Sequence, residues 1–222
     1  SVTAHTCSYT EQYFEATFEA DAYTVYTCSC GDTYTVTHEG TKKIAVATVN
    51  GEKFETLQAA IEAAGEGATI NVLVDLSDLA LTTGKSLTIT SEKNVKLTNV
   101  SINGTAGKLT VSNLTFAGNS WINAGGCDEL VVANVTANVT PSNTSYTNSR
   151  SAFIGLGRNE AKQLKLTVTD CNIVVPSGTD AVLGWAAVTE VTISGNTFGS
   201  ETSYQNSGDI VKFMAIADGA VF

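Results

Sequence analysis

Three of the chain's five cysteines and both of its histidines are crowded into its first 41 residues, beside six acids and no lysine or arginine. Cys7, Cys28, Cys30 and His38 make up a tetrahedral zinc set, because three thiolates and one imidazole can close a site. His5 lies close to Cys7 in sequence. The spacing contains Cys-x-Cys rather than the Cys-x2-Cys knuckle usual in zinc modules. One disulfide from Cys7 to Cys28 or Cys30 is the simpler chemistry in an oxidising compartment. Three free thiols are the remaining alternative, so zinc is the one cofactor in question. Cys171 occupies a position equivalent to Leu114 and Val135 and reads as a buried apolar thiol. Cys127 precedes Asp128-Glu129 in a short loop.

Catalysis has little to work with after residue 42. That stretch has no histidine and no Asp-Asp pair, and its only arginines are Arg150 and Arg158. A glycosidase needs two carboxylates roughly 5–10 Å apart. The acids that fall on strands or loops are Asp128, Glu129, Asp170, Asp180 and Glu190. Asp170 shares a turn position with Asn113 and Asn134, where a short polar side chain bonds its own backbone. The expectation is a protein that is not an enzyme. Candidate binding residues are Tyr146, Arg150 and Arg158, with Trp121 and Trp185 as sugar-stacking platforms. Tyr146 and Arg150 belong to an insertion at 138–150, and insertions in repeat proteins emerge as loops on one face. Tyrosine and arginine are favoured at interface centres. Asn99, Asn103, Asn113, Asn134, Asn138 and Asn143 each begin an N-x-[ST] sequon; several coincide with turns, and most read as structural.

The elements that must position these groups are almost all strands. Hydrophobic residues make up 43% of the chain and charged ones only 15%, with Thr, Ser, Asn and Gly filling polar positions. That composition suits pleated surfaces and tight turns. The net charge of −10 argues against nucleic acid and anionic membrane surfaces as partners. No apolar run is long enough to insert in a membrane. Alternation over 15–20, 22–27 and 33–37 reads as a small antiparallel β module at 1–42, too small to be secure without a crosslink or a docked neighbour. Residues 54–64 read as a helix, with Leu57, Ala60, Ile61 and Ala64 as its stripe and Thr56 as its N-cap.

From residue 68 onward the pattern repeats. Leu87-Thr-Ile-Thr-Ser91, Leu109-Thr-Val-Ser-Asn113, Leu130-Val-Val-Ala-Asn134, Leu166-Thr-Val-Thr-Asp170 and Val191-Thr-Ile-Ser-Gly195 align, with turn positions 22, 21, 36 and 25 residues apart. A second series places Trp121, Phe153, Val182 and Ile210 at the head of short strands. A rung of just over 20 residues with a bend after each strand describes a parallel β-helix. Ile89, Val111, Val132, Val168 and Ile193 should share one interior column. Residues 43–222 are therefore expected to form one β-helix, capped by the helix and C-terminally incomplete, because Val221-Phe222 falls where another strand should begin.

Phe54-Glu-Thr-Leu-Gln-Ala-Ala-Ile-Glu-Ala-Ala64, Ala68-Thr-Ile-Asn-Val-Leu73, Leu87-Thr-Ile89 and Leu109 to Phe116 resemble the pectate-lyase-like β-helix domains of bacterial surface proteins abundant in gut Firmicutes. Tyr26-Thr-Cys-Ser-Cys-Gly-Asp-Thr-Tyr34 is similar to small cysteine modules found in such proteins. The resemblance implies an all-β, right-handed parallel β-helix on a secreted or surface-anchored protein. It implies an adhesin-like module whose partners are a host glycoprotein, glycan or immunoglobulin, together with other domains of a longer chain. A polysaccharide lyase, with calcium-binding acids and an Arg or Lys base, or a glycoside hydrolase is the alternative implied by the same family, and a structural stalk is a third.

Overall fold

The computed structural model describes residues 6–142, 151–157, 163–176, 178–184, 187–200, 211–213 and 216–222. The chain divides into two units, Ser1–Ala45 and Val46–Phe222. In the first, β1 (Tyr9–Phe14), β2 (Ala22–Cys28) and β3 (Thr33–His38) form an antiparallel sheet with β2 in the centre. Its second turn is closed by Gly31 N–H to Cys28 O at 2.9 Å and Cys28 N–H to Asp32 O at 2.8 Å, with Gly31 at φ 93°. Glycine adopts that left-handed conformation without a Cβ penalty.

The second unit opens with a hairpin of β4 (Ala47–Val49) and β5 (Glu52–Phe54), then α1 (Leu57–Ala63). Positive φ at both Asn50 and Gly51 makes this an Asn-Gly hairpin turn. Phe54 pairs with Ala47 in that hairpin, so the helix starts later than its apolar pattern suggested. Thr56 caps it as expected, its Oγ1 accepting from Ala59 N–H at 3.1 Å. Leu57, Ala60, Ile61 and Ala64 join the same buried cluster as Ile70 and Leu81. At the helix C-terminus the Lys85 ammonium donates to the carbonyls of Glu62 at 2.8 Å and Ala64 at 2.7 Å. Carbonyls at a helix end have no partner within the helix, and a cation is favoured there.

The remainder is a parallel β-solenoid of about five turns. Its coils begin with β6 (Ala68–Val72) and β7 (Leu76–Thr83), then β8 (Leu87–Thr90) and β9 (Lys96–Gly104). Three strands per coil follow: β10 (Lys108–Ser112), β11 (Thr115–Gly118) and β12 (Trp121–Asn123); β13 (Glu129–Ala133), β14 (Thr136–Val139) and β15 (Ala152–Gly155). The pattern continues with β16 (Gln163–Thr169), β17 (Asn172–Val175) and β18 (Asp180–Gly184), then β19 (Ala187–Ser194), β20 (Thr197–Ser200) and β21 (Val211–Phe213), and closes with β22 (Ile216–Val221). The last strand thus ends at Val221 rather than beginning there. β4 lies antiparallel to β6, and every pairing from β6 onward is parallel.

Alternation decides the inside. Ile70, Ile89, Val111, Val132, Val168 and Ile193 are consecutive register partners, and the first five are 0% exposed. The expected column is present. In the second series Ile122 pairs with Ile154 as expected, whereas Val182 stands one residue from its expected place, pairing with Ile154 and with Val211.

Turns are set by left-handed residues. Asn113, Asn134 and Asp170 have φ of 55°, 51° and 54°, and Gly195 takes the same place at 68°. Asn134 Nδ2 donates to Asn113 Oδ1 at 2.8 Å, and Asn113 Nδ2 to Thr90 Oγ1 at 3.0 Å. Ser91, aligned with them in sequence, instead donates its hydroxyl to Val72 O at 2.8 Å and opens a longer bend. Asn134→Ala should cost about 1–2 kcal/mol, because alanine resists positive φ and the amide bond is lost. Asn134→Gly should cost less, and urea unfolding of both variants checks the order.

Candidate functional site

In the first unit the structure gathers Cys7, Cys28 and Cys30, whose sulfurs all lie within 4.8 Å of one another. Cys7 Sγ and Cys30 Sγ are 3.3 Å apart, well beyond the ~2 Å of an S–S bond. Cys28 is buried, Cys7 half-buried and Cys30 exposed. The three come from different places: ahead of β1, the end of β2 and the turn beyond it. Register holds them together, since Tyr9 pairs with Cys28 across the sheet. The Tyr9 hydroxyl donates to the Asp32 carboxylate and ties β1 to the turn. Hydrogen bonds among the crowded thiols, from Cys28 first and Cys30 next, push the Cys7 pKa up to about 12.

His38 stands apart from this cluster. It pairs with Ala22, six residues along β2 from Cys28, a separation of roughly 20 Å at the usual strand rise. There His38 Nε2 and Thr24 Oγ1 are 2.9 Å apart. The described residues that could share a metal ion are therefore the three cysteines alone. His5 lies outside the described residues.

Cys171 is buried at 2% exposure, as its alignment with Leu114 and Val135 required, and burial raises its thiol pKa. Cys127 is fully buried although it lies in a loop, with Gly104 leaving room for its sulfur.

On the solenoid, the outward side of β6, β8, β10, β13, β16 and β19 carries two columns of small side chains. The first runs Thr69, Thr88, Thr110, Val131, Thr167, Thr192. The second runs Asn71, Thr90, Ser112, Ala133, Thr169, Ser194, with Ser112 Oγ donating to Thr90 Oγ1 at 3.0 Å. Beside them Lys108, Glu129, Lys165 and Glu190 form a column of alternating charge. Two ion pairs sit in it, Lys108–Glu129 at 2.8 Å and Lys165–Glu190 at 2.9 Å. The second pair holds the Lys165 pKa above its usual value.

Where this sheet turns into the next lies a groove of about 720 Å³, lined by Thr90, Glu92, Lys93, Asn113, Asn134 and Thr136 among others. The asparagine ladder forms part of its wall. Each asparagine had been visible as a turn former; what the sequence did not disclose is that successive turns, stacked, make a concave polar strip. The bend at 91–95, longer than its counterparts, supplies the rest.

Of the residues expected to bind a partner, only Trp121 is described. It is half-buried and adjoins the fully buried Ile122, so it faces outward from β12. Tyr146, Arg150, Arg158 and Trp185 lie outside the described residues, as does most of the 138–150 insertion.

The molecule is thus a mostly β protein, a parallel β-solenoid preceded by a small antiparallel three-stranded sheet with clustered cysteines. No family model, curated protein or solved structure matches this chain.

Proposed function

We propose that the chain is a non-catalytic recognition module of a secreted or surface-anchored bacterial protein, with a right-handed coil of the pectate-lyase-like kind. Its partner is a host glycoprotein, glycan or immunoglobulin, and the surface that favours a glycan is the groove beside the outward hydroxyl columns. Thr90, Thr115 and Thr136 offer hydroxyls and Asn113 and Asn134 offer amides, the uncharged donors and acceptors that pair with sugar hydroxyls. Coils recur about every 4.8 Å, so these groups repeat along the solenoid axis as sugar units repeat along an extended chain. An oligosaccharide lying parallel to the axis meets the same chemistry at each unit. The groove is the observation that carries this reading.

The test is a glycan array combined with a host-protein pull-down, using the whole chain and a Thr136→Arg variant. Thr136 is exposed on the groove wall, so arginine fills the groove without entering the core. The expected result is binding of a defined glycan class, weakened more than tenfold by Thr136→Arg (a loss of about 1.4 kcal/mol), with unchanged melting. Retained glycan binding in the variant overturns the groove assignment. Capture of a bare protein with no glycan signal moves the reading to protein recognition.

A further inference from the structure

We propose that Cys7, Cys28 and Cys30 bind a single zinc ion that holds the N-terminal sheet together. The proposal is independent of the glycan reading and concerns a different unit.

The argument begins with the count. A disulfide consumes two sulfurs and leaves the third thiol beside it, whereas here all three lie within 4.8 Å of one another. Thiolates on one tetrahedral zinc, each about 2.3 Å from the metal, stand a little under 4 Å apart. The observed spacing is compatible with that value: Cys7 and Cys30 are 3.3 Å apart and no pair exceeds 4.8 Å.

The backbone already supports such a site. The turn Cys28–Asp32 is closed by two hydrogen bonds, and Gly31 supplies the left-handed residue that brings Cys30 back towards Cys28. Cys7 reaches both from the far strand, through the pairing of Tyr9 with Cys28. The Tyr9 hydroxyl bonded to Asp32 fixes the strand and the turn relative to one another.

The unit also needs a crosslink. It spans only Ser1–Ala45, and every residue of β3 except His38 is exposed, Tyr34 and Val36 included. A sheet of this size buries too little apolar surface to be secure without a staple or metal. An ion bridging β1, β2 and the turn joins the segments at the end of the sheet away from the Thr24–His38 contact.

The chemistry balances without a redox step. Three S–H bonds are replaced by three Zn–S bonds, three protons pass to solvent, and a water completes the tetrahedron. Each thiol gives up its proton as its sulfur binds the cation. Affinity therefore falls as pH falls.

The experiment uses the whole chain, reduced and freed of metal, titrated first with zinc and then with cobalt(II). About one equivalent of zinc is expected per chain. Cobalt should give the intense near-ultraviolet thiolate charge-transfer band and the visible bands of a tetrahedral site. Cys30→Ser, at an exposed position where folding is least at risk, should weaken binding by more than an order of magnitude, and Cys171→Ser should leave it unchanged. Zinc protection of residues 6–45 from proteolysis should be lost with chelator. Failure of the unmutated chain to bind either metal overturns the proposal. So does cobalt binding without thiolate bands, or zinc affinity unaltered in Cys30→Ser. Chain prepared under non-reducing conditions with a mass two hydrogens short, and still refusing zinc after reduction, points to the disulfide instead.

Discussion

Val132→Asp should destroy the cooperative fold of the solenoid. Val132 is fully buried between Val111 and Val168 in the inner column. A carboxylate there has apolar neighbours above and below, so the site faces either an unpaired buried charge or a proton taken up against a raised pKa. A loss of at least ~4 kcal/mol is expected, in the range reached by few single substitutions. Val132→Thr has nearly the same shape and buries one hydroxyl, and should lose about 1–3 kcal/mol. Urea unfolding followed by far-ultraviolet circular dichroism checks both. A loss under ~1 kcal/mol for Val132→Asp would show that the column is not the shared core.

Gly126→Ala should be a damaging small substitution outside that core. A Cβ at Gly126 would stand 2.3 Å from Thr105 O and 2.5 Å from its carbonyl carbon, in the turn of the preceding coil. Both contacts are backbone, so no side chain can swing aside. The turn from Ala124 to Cys127 is itself closed by Cys127 N–H to Ala124 O at 3.0 Å. Relief requires the two coils to separate locally, at an expected cost of about 2–3 kcal/mol. Gly65→Ala is the matched control, since a Cβ there meets nothing within 4 Å and φ is not positive. Thermal melts should separate the two variants clearly; equal melting temperatures would mean that the coils slide past one another without penalty.

These two positions also mark what could be seen in the sequence. Val132 was legible because β13 alternates: Leu130 and Val132 inward, Val131 and Ala133 outward. The same alternation recurs at Leu109 and Val111 and again at Leu166 and Val168, so one physical rule is written several times. The Asn113, Asn134 and Asp170 turns were legible for a related reason, because few residues accept positive φ. The strands of the second series were harder. β15 and β18 are buried at every position, so no alternation exists to fix their register, and Val182 lies one residue from where the sequence pattern puts it. The Asn50-Gly51 hairpin carries a plain Asn-Gly turn signal in the residues just ahead of the helix. In the cysteine module, closeness in sequence could not say which end of a hairpin His38 would occupy. Strand pairing decides that, and it carries His38 away from the three sulfurs. The groove has no local signature, since it exists only between coils.

The alternating column of Lys108, Glu129, Lys165 and Glu190 bears on how such a protein can lengthen. Solenoids grow when a coil is copied and slotted in among its neighbours. Copying one of these coils would set lysine against lysine or glutamate against glutamate, and like charges directly opposite cost a few tenths of a kcal/mol or more. Copying two adjacent coils preserves the alternation at no such cost. The column therefore gives the solenoid a parity: along this stretch, duplication or deletion by even numbers of coils is the path of least resistance, for evolution and for anyone building longer versions.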